Sequence, residues 1–290
     1  MSEEWSSTMS EETAPYGTGP GQASKPVKRV RTHHLREMKE RGEKFTMLTA
    51  YEQYAAEIFD EAGIELLLVG DSASNNVYGN ETSLPVTVDE LIPLVRAVTR
   101  SAKRSLVVAD LPFGSYQASP EQAYLTAVRF MKEANAHSVK LEGGLPMVPQ
   151  VRKLVEGGIP VIAHIGFTPQ SEHTLGGYRV QGRGDAAKLL LEEARAMQEA
   201  GAFAVLMEMV PGDVAADVTA ALDIPTIGIG AGNRCDGQVL VWQDAFGLRG
   251  GRMARFVKQY ADLRTVLRDA ASAYAADVKA GTFPADEHTF

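Results

Sequence analysis

The sequence has one cysteine, no long hydrophobic run and no excess of basic residues, and each absence excludes a class of protein. Cys235 cannot form an internal disulfide, which suits a reducing compartment, and we expect it to be a structural thiol because no histidine or lysine adjoins it. No apolar run reaches the roughly 18 residues of a membrane span. The acidic start MSEEWSSTMSEE lacks the apolar centre of a secretory signal. We therefore expect a cytoplasmic protein.

The charge balance disfavours nucleic acid and membranes as partners. The chain has 29 basic and 37 acidic residues, which give a net charge of −8. Dinucleotide binding is also disfavoured, because no predicted strand is followed by GxGxxG, and the late run GIGAGNR lacks the third glycine. A small-molecule substrate is the better expectation.

The first residues and the remainder of the chain differ in composition. Residues 1–28 are rich in Ser, Thr, Glu, Gly and Pro, which predicts a disordered N-terminal tail. The basic run KRVRTHHLREMKERGEK that follows predicts a helix from about Thr32, with Thr32 as its N-cap and a face turned to solvent or to another subunit. We expect residues 29–290 to form a single catalytic domain.

Eight short apolar runs, each followed by a turn and most by a longer amphipathic stretch, predict eight strands. They are FTMLTA (45–50), ELLLVGD (65–71), SLVVADLPFG (105–114), SVKLEGG (138–144), PVIAHIGF (160–167), AVLMEMV (204–210), PTIGIGAG (225–232) and QVLVWQD (238–244). This alternation predicts a parallel sheet, and eight units favour a closed (β/α)8 TIM barrel over an open Rossmann-like sheet. Gly281 and Pro284 are expected to end a last long helix.

Ionisable residues recur near the carboxyl ends of five of these runs. They are Asp71, Asp110, Lys140 with Glu142, His164, and Glu208. Buried parallel strands are normally apolar, and the carboxyl ends of barrel strands meet at one face, where active sites lie. Unpaired buried charges cost several kcal/mol each, so six of them at one face call for a functional explanation.

Three of these residues are carboxylates that a cation could neutralise. Lys140 and Glu142 are two residues apart, which puts both on the inward face of one strand. If Asp71, Asp110 and Glu142 meet near the barrel axis, an all-oxygen site of this kind suits Mg²⁺ completed by substrate oxygens and waters. The alternative is that Lys140 pairs with these acids in a structural salt bridge without metal.

Two long polar loops follow predicted strands and are suited to wrapping a ligand. One is GDSASNNVYGNETSLPVT, and the other is HIGFTPQSEHTLGGYRVQGR, in which Gly176 and Gly177 are candidate hinges of a lid. His173 lies in the second loop, where a solvated and a catalytic role are equally open.

Several motifs together resemble the ketopantoate hydroxymethyltransferase family. They are MLTAY, VGDS, SLPVT, VVADLPFGSY, VKLEGG, AHIGFTPQS, LGGYRVQGR, IPTIGIGAG, CDGQVLVWQD and FPADEH, which span residues 30–290 in order. WQD and RFVKQYAD resemble the actinobacterial branch. The resemblance implies a (β/α)8 barrel of the phosphoenolpyruvate/pyruvate type, a homodecamer, and transfer of a hydroxymethyl group from 5,10-methylenetetrahydrofolate to 3-methyl-2-oxobutanoate, which gives the pantothenate precursor ketopantoate.

The resemblance also implies roles for seven residues. Asp71, Asp110 and Glu142 match metal ligands; Asp71, Ser72, Asp110 and Lys140 match positions at the 2-oxo acid; Glu208 matches the proton acceptor; and His164 matches a histidine lining the pocket. The sequence departs from the family after VGDS, where ASNNVYGNET at 73–82 replaces a glycine and apolar residues.

The residue types suit a metal-stabilised enolate mechanism. A 2-oxo acid can chelate Mg²⁺, Glu208 would take the C3 proton, and Lys140 would stabilise the negative charge that develops. Three alternatives stay open: a lyase or aldolase of the same barrel type that uses no folate, a Schiff-base mechanism at Lys140, and a non-catalytic metabolite-binding barrel.

Overall fold

The computed structural model describes residues 28–290, and its eight strands form one closed parallel barrel in chain order. The strands are β1 Phe45–Thr49, β2 Leu66–Val69, β3 Leu106–Asp110, β4 Ser138–Glu142, β5 Val161–Gly166, β6 Ala204–Glu208, β7 Thr226–Ile229 and β8 Gly237–Leu240. The predicted barrel is confirmed, and the open-sheet alternative is wrong because β8 pairs with β1. The predicted tail lies outside the described residues except for Lys28, so it stays a prediction.

Helices follow most of the strands and cover the outside of the barrel. They are α1 Thr32–Glu40, α2 Gln53–Glu61, α3 Ala73–Asn76, α4 Val88–Ser101, α5 Pro120–Glu133, α6 Val148–Glu156, α7 Glu172–Leu175, α8 Ala186–Glu199, α9 Gly212–Ala221, α10 Trp242–Ala245 and α11 Leu263–Ala280. Short 3₁₀ turns cover Leu145–Met147, Pro169–Ser171 and Asp286–His288. Within the described residues, no helix is both long and apolar enough to cross a bilayer.

The strands alternate between two apolar cores because successive side chains point to opposite faces. Leu67, Val107 and Val139 belong to the core between the sheet and the helices. Leu66 and Leu106, each one position earlier, belong to the core inside the barrel. In β3 to β6 the even-numbered residues therefore point inward, and only these side chains can reach the barrel axis.

The amino ends of the strands are closed by α1 and by an ion pair. Val30 and Leu35 pack into the interior core at this end. The Lys39 ammonium lies 2.8 Å from Asp236 Oδ2, and the same oxygen accepts the backbone N–H of Thr226 at 2.8 Å. These contacts cover the amino ends of the strands, which form the lower end of the barrel.

Some boundaries differ from the sequence expectations. Arg31, not Thr32, is the N-cap of α1, because the extended backbone sits at Arg31 and its N–H donates to His34 Nδ1 at 3.0 Å. β2 ends at Val69, so Asp71 lies in the turn beyond the strand, and the WQD run forms α10 instead of extending β8. The turn after β2 brings the Asp71 N–H to Asp110 Oδ2 of the next strand, and the Val241 carbonyl accepts the N–H groups of Asp244 and Ala245 to begin α10.

The C-terminal helix α11 ends as the sequence indicates but packs little against the barrel. Gly281 caps it in a left-handed conformation with φ of 68°. No residue of α11 is buried, and Val266, Leu267 and Tyr274 are each more than half exposed. An apolar face of this helix is therefore left uncovered by the rest of the described chain.

Candidate active site

A cavity of about 410 Å³ opens at the carboxyl ends of the strands. Its lining includes all seven residues singled out in the sequence: Asp71, Ser72, Asp110, Lys140, Glu142, His164 and Glu208. His173 is exposed in α7 and is not part of this lining. Cys235 is fully buried, and burial raises the pKa of its thiol, which agrees with a structural role.

Strand register explains why these side chains meet. The inward residues of β3 run from Leu106 and Val108 to Asp110, so the apolar interior changes to polar only in the last layer. Asp110 pairs in register with Lys140 of β4, and Glu142 pairs with His164 of β5. The polar layer is thus built from neighbouring strands at one height of the barrel.

Asp71 and Ser72 enter this layer from the turn between β2 and α3. The Asp71 N–H donates to Asp110 Oδ2 at 3.0 Å, and the Ser72 hydroxyl is 2.8 Å from that of Tyr51. A Cβ at Gly70 would stand 2.7 Å from Ser72 Oγ, so this turn requires a glycine there. The turn therefore bends closely enough to present both side chains to the cavity.

Lys140 is the ammonium at the centre of the acidic layer. Its Nζ lies 3.0 Å from Asp110 Oδ1, 3.8 Å from Glu142 Oε1 and 3.3 Å from His164 Nδ1, and its side chain is 4% exposed. Burial alone would lower the pKa of Lys140, but Asp110, Glu142 and Asp71 raise it above its usual value. Lys140 is therefore held as a cation.

One ammonium does not neutralise three carboxylates, and their pKa values show this. Burial, Asp110 and Glu142 raise the pKa of Asp71 well above its usual value, and burial also raises that of Asp110. Burial would raise the pKa of Glu142 as well, but hydrogen bonding and charge from His164 and Lys140 lower it. Asp71 and Asp110 are therefore the carboxyls that are hardest to keep ionised without a further cation.

Glu208 lies on the far side of His164 from Glu142. His164 Nδ1 is 3.4 Å from Glu142 Oε1, and its Nε2 is 3.5 Å from Glu208 Oε2. Burial, followed by repulsion from Glu142, raises the pKa of Glu208 to about 8. Glu208 is therefore a strong base for a carboxylate, and His164 separates it from the three clustered acids.

Sequence reasoning missed Gln170, which lies behind the acidic layer. Its carboxamide donates to Asp71 Oδ2 at 3.0 Å, and its backbone N–H donates to Glu142 Oε2 at 2.9 Å. Gln170 also lines a second cavity of about 460 Å³, which reaches past Tyr116 to Glu193 of α8. A single glutamine in a polar loop carries no periodicity or charge signal that would have indicated this position.

The outer half of the main cavity is formed by residues that sequence reasoning also missed. Tyr178, from the predicted lid loop, faces a segment that contributes Arg249, Arg252 and Phe256. Arg249 and Arg252 are exposed. Tyr178 also packs on Phe167, with ring centroids 4.7 Å apart. The outer part of the cavity therefore combines aromatic rings with Arg252 and with Arg249, whose guanidinium lies 3.7 Å from Asp244 of the same lining.

The donor chemistry of the base fits the predicted magnesium ion. Among residues 28–290, no three His, Cys, Asp or Glu side chains are gathered closely enough to hold a metal by themselves. Mg²⁺ commonly uses one or two carboxylates and takes its other ligands from water and substrate. Asp110 Oδ1 is buried and has the Lys140 ammonium at 3.0 Å as its charged neighbour, so a second lone pair of this oxygen is left for a cation. The assignment of metal ligands stays a prediction.

Curated relatives match the chain along nearly all its length. A 3-methyl-2-oxobutanoate hydroxymethyltransferase from a Nocardioides species is 80% identical over 286 residues, which cover 97% of each chain. Proteins of the same name from Paenarthrobacter aurescens and Rhodococcus jostii are 68% and 59% identical, and they cover 98% and 100% of this chain and 97% and 100% of their own length.

Solved structures share the fold at low sequence identity. Phosphonopyruvate hydrolase, in a complex with oxalate and Mg²⁺, superimposes with a TM-score of 0.58 at 12% identity and covers 89% of this chain and 92% of its own. A 2,3-dimethylmalate lyase of the PEP mutase/isocitrate lyase superfamily has a TM-score of 0.55 at 15% identity, with 89% and 91% coverage. These likenesses support the closed (β/α)8 barrel fold. Because the ketopantoate hydroxymethyltransferase profile matches residues 29–286 and the curated relatives agree, the chain belongs to the ketopantoate hydroxymethyltransferase family.

Proposed function

We propose that this chain is a 3-methyl-2-oxobutanoate hydroxymethyltransferase. It would transfer a hydroxymethyl group from 5,10-methylenetetrahydrofolate to 3-methyl-2-oxobutanoate and form 2-dehydropantoate, the first committed step of pantothenate biosynthesis. The observation that carries this proposal is the buried acidic layer around Lys140 with the raised-pKa Glu208 beside it. The family membership and the names of the relatives support it.

The acidic layer would bind the 2-oxo acid. Mg²⁺, when held by Asp71, Asp110 and Glu142, would supply a Lewis acid for the 2-oxo group. Lys140 presents the positive charge that the substrate carboxylate or a developing enolate oxygen requires. The Ser72 hydroxyl, already within hydrogen-bond distance of Tyr51, is placed to contact the same oxygens.

Glu208 would accept the C3 proton. Abstraction of a proton next to a carbonyl needs a base whose pKa is near the working pH, and burial gives Glu208 a pKa of about 8. His164 Nε2 is buried without a hydrogen bond and lies 3.5 Å from Glu208 Oε2, so it limits how the carboxylate can turn. The enolate carbon would then form a C–C bond to the one-carbon unit, and water would displace the folate nitrogen from that carbon. The product would keep the hydroxymethyl group, and tetrahydrofolate would leave with the C3 proton and one proton from water on its nitrogens.

The folate would approach from the mouth of the cavity. Tyr178 and Phe256 offer aromatic surface, and Arg249 and Arg252 offer charges of the sign that glutamyl carboxylates require. At the base of the cavity, the charge of Lys140 is assigned to the 2-oxo acid, which leaves the glutamyl carboxylates to the mouth. Co-substrate and 2-oxo acid would thus meet with the reactive carbon between them.

One structural observation argues against the Schiff-base alternative. A nucleophilic lysine needs a lowered pKa, whereas the carboxylates around Lys140 raise its pKa. We expect borohydride trapping with 3-methyl-2-oxobutanoate to leave no lysine adduct. A covalent adduct at Lys140 would contradict the enolate mechanism.

The decisive assay combines 3-methyl-2-oxobutanoate, methylenetetrahydrofolate and Mg²⁺, with and without chelator. We expect formation of 2-dehydropantoate that the chelator abolishes. Activity that survives chelation would overturn the metal assignment, and turnover of the 2-oxo acid without folate would favour a lyase. A chain that turns over neither substrate would support the metabolite-binding alternative.

We also propose that the enzyme is a cytoplasmic homo-oligomer, a decamer by the family resemblance. The uncovered apolar face of α11, with Val266, Leu267 and Tyr274 more than half exposed, supports association with further copies. Light scattering coupled to size exclusion would measure the mass. A monomer at micromolar concentration would contradict the proposal.

A further inference from the structure

Gln170 makes more polar contacts than any role assigned so far requires. It lies in the 3₁₀ turn after β5 and is 6% exposed. Its Nε2 donates to Asp71 Oδ2 and to the carbonyl of Leu111, each at 3.0 Å. Its Oε1 accepts from the Tyr116 hydroxyl at 2.7 Å and from Gln117 Nε2 at 3.1 Å. The carboxamide nitrogen therefore donates two hydrogen bonds, and its oxygen accepts two.

These partners allow only one orientation of the carboxamide. Asp71 and Leu111 present acceptors, whereas the Gln117 amide presents a donor. The Tyr116 hydroxyl shares its one hydrogen between Gln170 Oε1 at 2.7 Å and the Glu142 carbonyl at 2.9 Å. A flipped amide would set its oxygen against two acceptors and its nitrogen against the Gln117 donor. Because burial keeps water from compensating, the amide is held in place and so is the Asp71 oxygen that it contacts.

The same residue also fixes Glu142 through its backbone. The Gln170 N–H donates to Glu142 Oε2 at 2.9 Å, and Tyr116, which orients the carboxamide, accepts the Glu142 N–H at 3.0 Å. Asp71 and Glu142 are both buried carboxylates that Gln170 contacts, so their like charges repel each other. A neutral donor can hold both carboxylates without adding charge to the layer, which a lysine or an arginine could not do.

We propose that Gln170 is a positioning residue that fixes Asp71 relative to Glu142 for binding of the 2-oxo acid and its cation. The proposal rests on the proposed function, in which these two carboxylates bind both. Gln170 does not line the main cavity, so it acts through Asp71 and not on the substrate.

The test compares Gln170→Met with a matched control, Gln150→Met. Methionine keeps the length of glutamine but donates no hydrogen bond. Gln150 is 5% exposed, similar to Gln170, but within residues 28–290 its carboxamide makes only a 3.4 Å contact to the carbonyl of Gln117. A general cost of burying methionine would affect both variants, whereas loss of positioning would affect only Gln170→Met.

The measurements separate positioning from a structural role. We expect Gln170→Met to bind Mg²⁺ about ten- to a hundredfold more weakly by calorimetry, since partners of ligand carboxylates commonly contribute that much. We expect kcat/KM for 3-methyl-2-oxobutanoate to fall by a similar factor, while KM for the folate changes less than about twofold. Gln150→Met should match the wild type in each measurement.

A second variant keeps the test decisive if Gln170→Met does not fold. Tyr116→Phe removes the hydroxyl that orients the carboxamide and should weaken Mg²⁺ binding several-fold in the same direction. Unchanged Mg²⁺ affinity and kcat/KM in the folded variants would overturn the proposal. A wild-type chain that binds no Mg²⁺ would refute the metal assignment instead, and kcat/KM would then decide the role of Gln170.

Discussion

Replacing Glu208 by glutamine isolates the first chemical step from the rest of the reaction. Glutamine has nearly the same shape but cannot accept a proton at the pH of the assay. If Glu208 is the base, exchange of the C3 hydrogen of 3-methyl-2-oxobutanoate with solvent should fall about 10²- to 10⁴-fold, the usual contribution of a general base. That loss corresponds to about 3–5 kcal/mol of transition-state stabilisation.

The structure also predicts the pH dependence of the wild-type exchange rate. Burial and Glu142 hold the pKa of Glu208 at about 8, so at pH 7 only about one tenth of the molecules carry the ionised base. The reactive form is deprotonated, so the rate should rise with pH, by about tenfold above its value at pH 7, and level off above the pKa. In Glu208→Gln this rise should disappear.

Proton NMR in D₂O measures the exchange directly, with Mg²⁺ present and folate omitted so that the later steps do not contribute. Glu193→Gln is the matched control, because Glu193 is a partly buried carboxyl whose pKa burial also raises, but it lies on the second cavity. Exchange at the wild-type rate in Glu208→Gln would refute the assignment of the base. An equal loss in Glu193→Gln would show that the effect is not local.

Three further predictions follow from the same structure. Chelation of Mg²⁺ should stop C3 exchange without altering the far-UV circular dichroism, and added Mg²⁺ should restore it; persistent exchange would contradict the metal site. Burial, with Arg29 and Arg31, lowers the pKa of His137 from 6.5 to about 4. Between these two pH values the unfolded chain binds a proton that the folded chain does not. The free energy of unfolding should therefore fall as the pH drops from 6.5 to 4. In His137→Asn the amide oxygen can still accept the Val107 N–H, but the side chain no longer titrates. Urea titrations of this variant should show a loss of unfolding free energy near pH 4 that is about 2 kcal/mol smaller than in the wild type. The same pH dependence of unfolding free energy in both proteins would contradict the prediction. Gly166→Ala should lower both the melting temperature and kcat. The backbone φ at Gly166 is +88°, and the new Cβ would stand 2.6 Å from the Glu208 carbonyl oxygen, a strain of about 1–3 kcal/mol. A variant with the wild-type melting temperature and kcat would refute the strain argument.

The parts of the structure that the sequence predicted rest on periodic burial. The alternation of Leu106, Val108 and Asp110 inside β3 with Val107 and Ala109 outside is visible as a short apolar run that ends in a charge. A charge at the end of such a run has few structural explanations, so the residues of the acidic layer stood out. The barrel followed from the repetition of this unit.

The parts that the sequence did not predict depend on contacts between distant segments. Gln170 is one polar residue in a polar loop, and its importance comes from Asp71, which is 99 positions away. Arg249 and Arg252 belong to a glycine-broken segment whose path over the cavity no local pattern determines. The position of Asp71 beyond β2 was missed for a related reason, since the turn forms through its bond to Asp110.

The closed lower end of the barrel determines where the chain can be altered without affecting catalysis. Val30, the first buried residue of the described chain, packs at that end, so Lys28 and Arg29 lie opposite the mouth of the cavity. A fluorophore or surface tether attached at Lys28 would therefore be fixed at the end of the barrel away from substrate entry. The same end, with its Lys39 and Asp236 pair, is the place for stabilising substitutions, because changes there do not contact the acidic layer.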